Sequence, residues 1–213
     1  MPPGGRPLPV SWFARPSAVV APDLLNKILA VKAAGSGRGG WRWGRIVEVE
    51  AYAPDEPASH AFGGMRPRNE VMFGPPAHLY VYFTYGMHWC ANVVTGSVGS
   101  GEAVLIRALE PLGGLASMRE ARGGMADRDL CRGPARLTQA LGISGAANGT
   151  RLATRPAAHG GLVVAVLDDA TPPPAAPAAG PRVGISKAVD LPWRWWVPDS
   201  TWVSGQRARP RAR

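Results

Sequence analysis

A chain of 213 residues with 46% hydrophobic content can bury one core, and nothing in it reads as a repeat array or a disordered chain. Its 24 Lys and Arg against 15 Asp and Glu give a formal charge of +9, which points to a polyanionic partner, although four of the arginines fall in the last seven residues. Two cysteines make no disulfide framework, no apolar run is long enough to span a bilayer, and MPPGGRPLPV lacks a signal-peptide core, so a cytoplasmic protein with no membrane attachment is expected.

Residues 1–16, rich in Pro and Gly, are expected to wrap the surface or to lack order. SAVVAPDLLNKILAV reads as a helix with Leu24, Leu25, Ile28 and Leu29 on one apolar face. GSGRGG (35–40) reads as a turn, and WRWGRIVEVEAY (41–52) alternates as a strand does. Residues 53–76 are too long and too rich in Gly and Pro for an ordinary connection, which marks them as a functional loop. LYVYF and HWCANVV flank TYGM, the pattern of a β-hairpin with Gly86 in the left-handed conformation. AVLIRALEP (103–111) reads as a buried strand. GLASMREAR (114–122) and PARLTQALG (134–142) read as helices, the second opened by Pro134 and stopped by Gly142. LVVAVLD is a strand, ATPPPAAPAAGP (170–181) a stiff loop, and PRVGIS a further strand before the Trp-rich end. Without βαβ regularity, these elements predict an α+β fold around a curved mixed β-sheet, one domain over residues 1–205 with a basic tail at 206–213.

Glu48 and Glu50 alternate with Val47 and Val49, which places them with Ile46 and Tyr52 on one strand face. A solvated face and a general base beside a pocket both fit this pattern. His60, His78, His88 and His159 lack metal-ligand spacing, and His88-x-Cys90 alone makes no zinc site. No Walker loop, GxGxxG after a strand or GxSxG elbow occurs, so no cofactor is expected, and any catalysis falls to carboxylates, a histidine and water. Arg107 interrupts an apolar strand and needs an acid, as a structural pair with Glu110 or another carboxylate or in a functional role. Asn92 in ANVV likewise needs partners. Tyr80 and Tyr82 share one sheet face, and Tyr85 sits at the hairpin tip. There, base stacking, a minor-groove wedge and an incidental surface position all fit.

Together, GRIVEVEAY, the ASH–GG–PRN–MFG series between 58 and 74, LYVYFTYGMHWCANVV, VLIRALEP, GPARLTQALGI and PRVGIS resemble the alkyladenine (3-methyladenine) DNA glycosylases. The motifs follow the order of that family from APDLLNKIL to WVSG, over nearly the whole chain. The resemblance implies a single metal-free α+β domain with a protruding DNA-probing hairpin. It implies a monofunctional hydrolase that removes alkylated and deaminated purines, such as 3-methyladenine and hypoxanthine, and so starts base-excision repair. The partner it implies is double-stranded DNA carrying damaged purines, bound by a monomer without cofactor.

Carried over by position, Glu50 is implied as general base on the attacking water, with Arg107 beside that water and the phosphate. Tyr52, His60 and Tyr82 are implied to sandwich the flipped base, and Val183 to line its pocket. Asn92 is implied to obstruct the 2-amino group of guanine, Tyr85 to fill the gap in the duplex, and Tyr80 to support the strand. Two departures stand out: Asn26 where relatives often have Gly in what reads as the first helix, and HAFGGMRPRN around Phe62 and Met65. The rival reading is a non-catalytic nucleic-acid-binding protein with the same fold, which is similar to the C-terminal tRNA-contacting domain of methionyl-tRNA formyltransferases. Glu50 discriminates, because a pure binder has no use for a carboxylate that repels phosphate.

Overall fold

The computed structural model describes residues 4–33, 36, 40–84, 86–153 and 161–205. The hairpin-tip Tyr85, most of the 35–40 turn, His159 and the basic tail at 206–213 lie outside the described residues.

Two 12-residue strands, β3 (Trp41–Tyr52) and β6 (Glu102–Gly113), form the spine of a nine-stranded sheet. Around them lie β1 (Arg6–Pro7), β2 (Ile28–Ala33), β4 (Leu79–Thr84), β5 (His88–Thr95) and β7 (Leu162–Asp168), in the order β1-β7-β2-β3-β6-β5-β4. Short strands β8 (Ala178–Gly180) and β9 (Arg194–Trp196) branch from it, β9 pairing with β3. Strand β3 therefore changes neighbour midway, from β2 over residues 41–45 to β9 over 48–50, and the sheet curls at this point. Every strand pairing is antiparallel, so the α+β expectation stands with an antiparallel rather than a mixed sheet.

Helices α1 (Val10–Phe13), α2 (Ser17–Leu24), α3 (Leu115–Ala121), α4 (Asp127–Leu130) and α5 (Pro134–Leu141) accompany the sheet. Pro134 opens α5 and Gly142, at φ 74°, stops it, as its sequence requires. Among the described residues no helix is long and apolar enough to cross a membrane.

Several sequence expectations fail for physical reasons. The apolar spacing of SAVVAPDLLNKILAV is not one helix: α2 ends at Leu24, Asn26 turns the chain at φ 68°, and Ile28–Ala33 becomes a strand. Ladder pairing of β2 with both β3 and β7 outweighs the helical period. Asn is among the few side-chain-bearing residues that tolerate the left-handed region. The described part of residues 1–16 runs largely along the surface, as one of the two expectations had it, with β1 pairing β7 and Phe13 fully buried. PRVGIS (181–186) is no strand, because its polar groups are committed to carboxylates described below.

Between β3 and β6 two irregularities offset one another. Ile46 faces Leu109 and Glu48 faces Ala108, so Val47 is an extra residue in β3. Val49 then faces Ile106, so Arg107 is an extra residue in β6 and the ladder resumes. Strict alternation would put Ile46 on the carboxylate face. The extra residue instead sends it into the main core with Val49 and Ala51. That core joins Leu79, Val81, Val93, Val104 and Ile106 of the sheet to Leu24 of α2, Met118 of α3 and Leu137 of α5. The intervening positions Tyr80, Val94 and Ala103 form a second cluster with Ala61 and Met72 of the 53–76 loop. Glu48, Glu50, Tyr52 and Arg107 thus leave the main core for the face that this loop covers.

Candidate active site

Glu48 and Glu50 are both 0% exposed, so this strand face is not a solvated one. Strand β9 and residues 203–204 close over it: Ser204 N–H donates to Glu48 Oε2 at 2.7 Å, and Arg194 Nη1 to Oε1 at 3.1 Å. Arg107, 6% exposed, reaches both acids, its Nε 3.2 Å from Glu48 Oε1 and its Nη1 3.2 Å from Glu50 Oε1. Its partners are these two carboxylates rather than Glu110, and Arg107 Nη2 adds a 3.3 Å bond to Ser204 Oγ.

Glu50 Oε1 also accepts the Val183 N–H at 2.7 Å, and Oε2 accepts the Tyr52 hydroxyl at 2.8 Å. A carboxylate offers about four acceptor directions. Among the described residues two hydrogen bonds and the Arg107 ion pair reach it, and Oε2 accepts only the Tyr52 hydroxyl. Burial pushes the Glu50 carboxyl above its ordinary range. Arg107, the Val183 N–H and the Tyr52 hydroxyl pull it back, while the Glu48 charge adds to the rise. Burial opposes the charge on Arg107, but Glu50 and Glu48 more than offset this and hold the guanidinium above its usual value. Tyr52 stays protonated, raised by burial and by Glu50.

In front of Glu50 opens a cavity of about 540 Å³. Tyr52, His60, Tyr82, Asn92, Arg107 and Val183 all line it, so those sequence candidates converge on one site. Glu50 stands immediately behind this lining. Tyr82 meets His60 edge-on, ring centroids 4.4 Å apart, and stacks with Tyr80 at 5.6 Å. Tyr80 does more than support the strand, since its hydroxyl lies 2.9 Å from His60 Nδ1. Burial lowers the His60 pKa, with Arg68 adding to the effect, which favours the neutral imidazole. Burial pushes the Tyr80 hydroxyl up to about 12. Asn92 Nδ2 donates to the Tyr80 carbonyl at 3.0 Å across the β4–β5 pair. His88 and Lys187 add basic groups to the lining.

Several residues that hold this arrangement were not singled out from sequence. Asn69 is 0% exposed; its Oδ1 accepts the Arg66 N–H at 2.6 Å and its Nδ2 donates to the His60 carbonyl at 2.7 Å, closing the loop that carries His60. Arg182 and Glu56 form a buried two-bond ion pair at 2.6 and 2.8 Å. Arg194 and Ser204 meet Glu48, which the strand pattern had paired with Glu50, only in three dimensions. Asn69 had a local signal, the PRN motif; for Arg182 and Glu56, 126 residues apart, no spacing rule applies.

Residues 11–201 match the methylpurine-DNA glycosylase (MPG) family. The chain belongs to that family. A Burkholderia lata member is 58% identical over 207 residues, covering 96% of this chain and 94% of the relative. A Burkholderia cenocepacia member is 57% identical over 203 residues, covering 94% and 92%. One from Rhodopseudomonas palustris is 51% identical over 201 residues, with the same coverage. All three carry the name "Putative 3-methyladenine DNA glycosylase".

Proposed function

We propose that this protein is a monofunctional glycosylase that hydrolyses the N-glycosidic bond of damaged purines, 3-methyladenine and hypoxanthine among them, in double-stranded DNA. One observation carries the reading: a fully buried carboxylate, raised above its ordinary range, backs an aromatic cavity, and among the described residues its Oε2 accepts only the Tyr52 hydroxyl. The names of the bacterial relatives point to the same activity.

The scissile bond lies inside the base stack, so the nucleotide must swing out into the cavity. Tyr52, His60 and Tyr82 give flat walls to the extruded base, Asn92 meets its edge and obstructs a guanine 2-amino group, and Tyr85 fills the gap in the duplex. Cleavage at the anomeric carbon builds positive charge on the sugar. Glu50 offsets that charge and takes the proton from the attacking water through Oε2. Arg107 fixes the carboxylate and favours its ionised form against the penalty of burial. An alkylated cationic purine leaves without further help, whereas hypoxanthine must be protonated. The protein is read as a monomer acting on DNA in the cytoplasm.

Glu50→Gln tests the assignment. Release of hypoxanthine from a duplex oligonucleotide, read by alkaline cleavage of the abasic site, should fall by about 100-fold or more while lesion-DNA binding persists. Full activity in this variant would sink the role of Glu50.

A further inference from the structure

We infer that Arg182 and Glu56 are positioning residues for the reaction: their buried ion pair holds the Val183 N–H on the Glu50 carboxylate and braces the Tyr52 ring. The inference rests on the reading of Glu50 as the base.

Residues 181–187 have no ladder partner, and the Val183 side chain is 46% exposed, yet its N–H sits 2.7 Å from Glu50 Oε1. A segment with so little to hold it needs an anchor. That anchor is the preceding residue. Arg182 Nη1 donates to Glu56 Oε1 at 2.6 Å and to the Ala51 carbonyl at 3.0 Å, and Nη2 donates to Glu56 Oε2 at 2.8 Å. The planar guanidinium fork matches the carboxylate in two parallel bonds, a geometry that fixes orientation as well as position. Ala51 lies between Glu50 and Tyr52 in β3, so this guanidinium is tied to the backbone one residue from each. Arg182 Cζ also lies 4.7 Å from the centre of the Tyr52 ring, which lines the cavity. One buried pair thereby reaches a donor to the carboxylate and a wall of the cavity.

The charged and titratable groups around Glu50 are Tyr52 and Glu48 of β3, Arg107 of β6, Tyr82 of β4, Cys90 of β5 and Arg194 opposite it on β9. No hydrogen bond or ion pair among the described residues joins Arg182 or Glu56 to Glu50. The pair therefore acts on the carboxylate through Val183 and Tyr52. A freed Val183 N–H takes a donor from the charged form of Glu50, so the carboxylate holds its proton to higher pH.

The test is single-turnover release of 3-methyladenine from methylated duplex DNA, from roughly pH 5 to roughly pH 9, where this readily leaving base makes the acid limb report the general base. The full-length protein is compared with Glu56→Gln, Arg182→Lys and the double variant, each checked for folding by circular dichroism. Both single variants should move the acid limb upward, by on the order of one pH unit. The double variant should add little, because the pair acts as a unit. Glu56→Gln preserves volume and carries the test if Arg182→Lys does not fold. An acid limb unmoved in folded variants overturns the inference and leaves Glu50 as the base. Absence of an acid limb in the unmodified protein overturns the reading of Glu50 and the inference with it.

Discussion

Replacing Arg107 by Met asks how two fully buried carboxylates are tolerated. The guanidinium lies 3.2 Å from each of them, and neither Glu48 nor Glu50 has exposed surface. Breaking a buried ion pair by removing one partner costs about 3–5 kcal/mol. Here Glu48 keeps Arg194 and the Ser204 N–H, and Glu50 keeps Tyr52 and the Val183 N–H, so the lower end, about 3 kcal/mol, is expected. For a chain of this length that is a fall in Tm of roughly 6–12 °C. The loss should depend on pH. The folded-state pKa of Glu50 already lies above the unfolded one, so between the two the folded protein binds an extra proton and stability falls as pH rises. Removing Arg107 raises the folded value further and extends that window upward. Thermal melts from about pH 5 to about pH 8 should show a deficit that grows with pH. A deficit constant over this range, or smaller than about 1 kcal/mol, would refute the reasoning.

Two further substitutions probe what holds the site. Asn69→Ala removes the bonds to Arg66, His60 and Gly64; it should cost about 1–3 kcal/mol in urea unfolding and weaken lesion-DNA binding without moving the acid limb of the rate. Asn26→Ala should destabilise by about 1 kcal/mol more than Asn26→Gly, since both lose the bond to the Pro172 carbonyl but only Ala is strained at φ 68°. Equal stabilities in denaturant melts would argue against the left-handed turn.

How much of this was legible in the chain depends on the range over which each element is decided. The bounds of β3 follow from its alternating pattern, and those of α5 from Pro134 and Gly142, because both signals are local. The strand after Leu24 was hidden, because Leu24, Leu25, Ile28 and Leu29 suit a helix face equally well and only the neighbours β3 and β7 decide. The cavity residues Tyr52, His60, Tyr82, Asn92, Arg107 and Val183 were named from motifs and do meet. Glu48 was read with Glu50 as one ambiguous face, because its burial comes from Arg194 and Ser204, about 150 residues later in the chain. For Arg182 and Glu56 nothing local marks two charged residues 126 positions apart as partners.

The paired extra residues Val47 and Arg107 also bear on how this protein can be altered. Deleting Val47 alone would leave Arg107 as an uncompensated surplus and shift the phase of one spine strand against the other. Hydrophobic side chains would then be offered to the cavity and charged ones to the core. The same single-codon change in a surface loop would be tolerated. A length change at Val47 should therefore be inherited together with one at Arg107 or not at all.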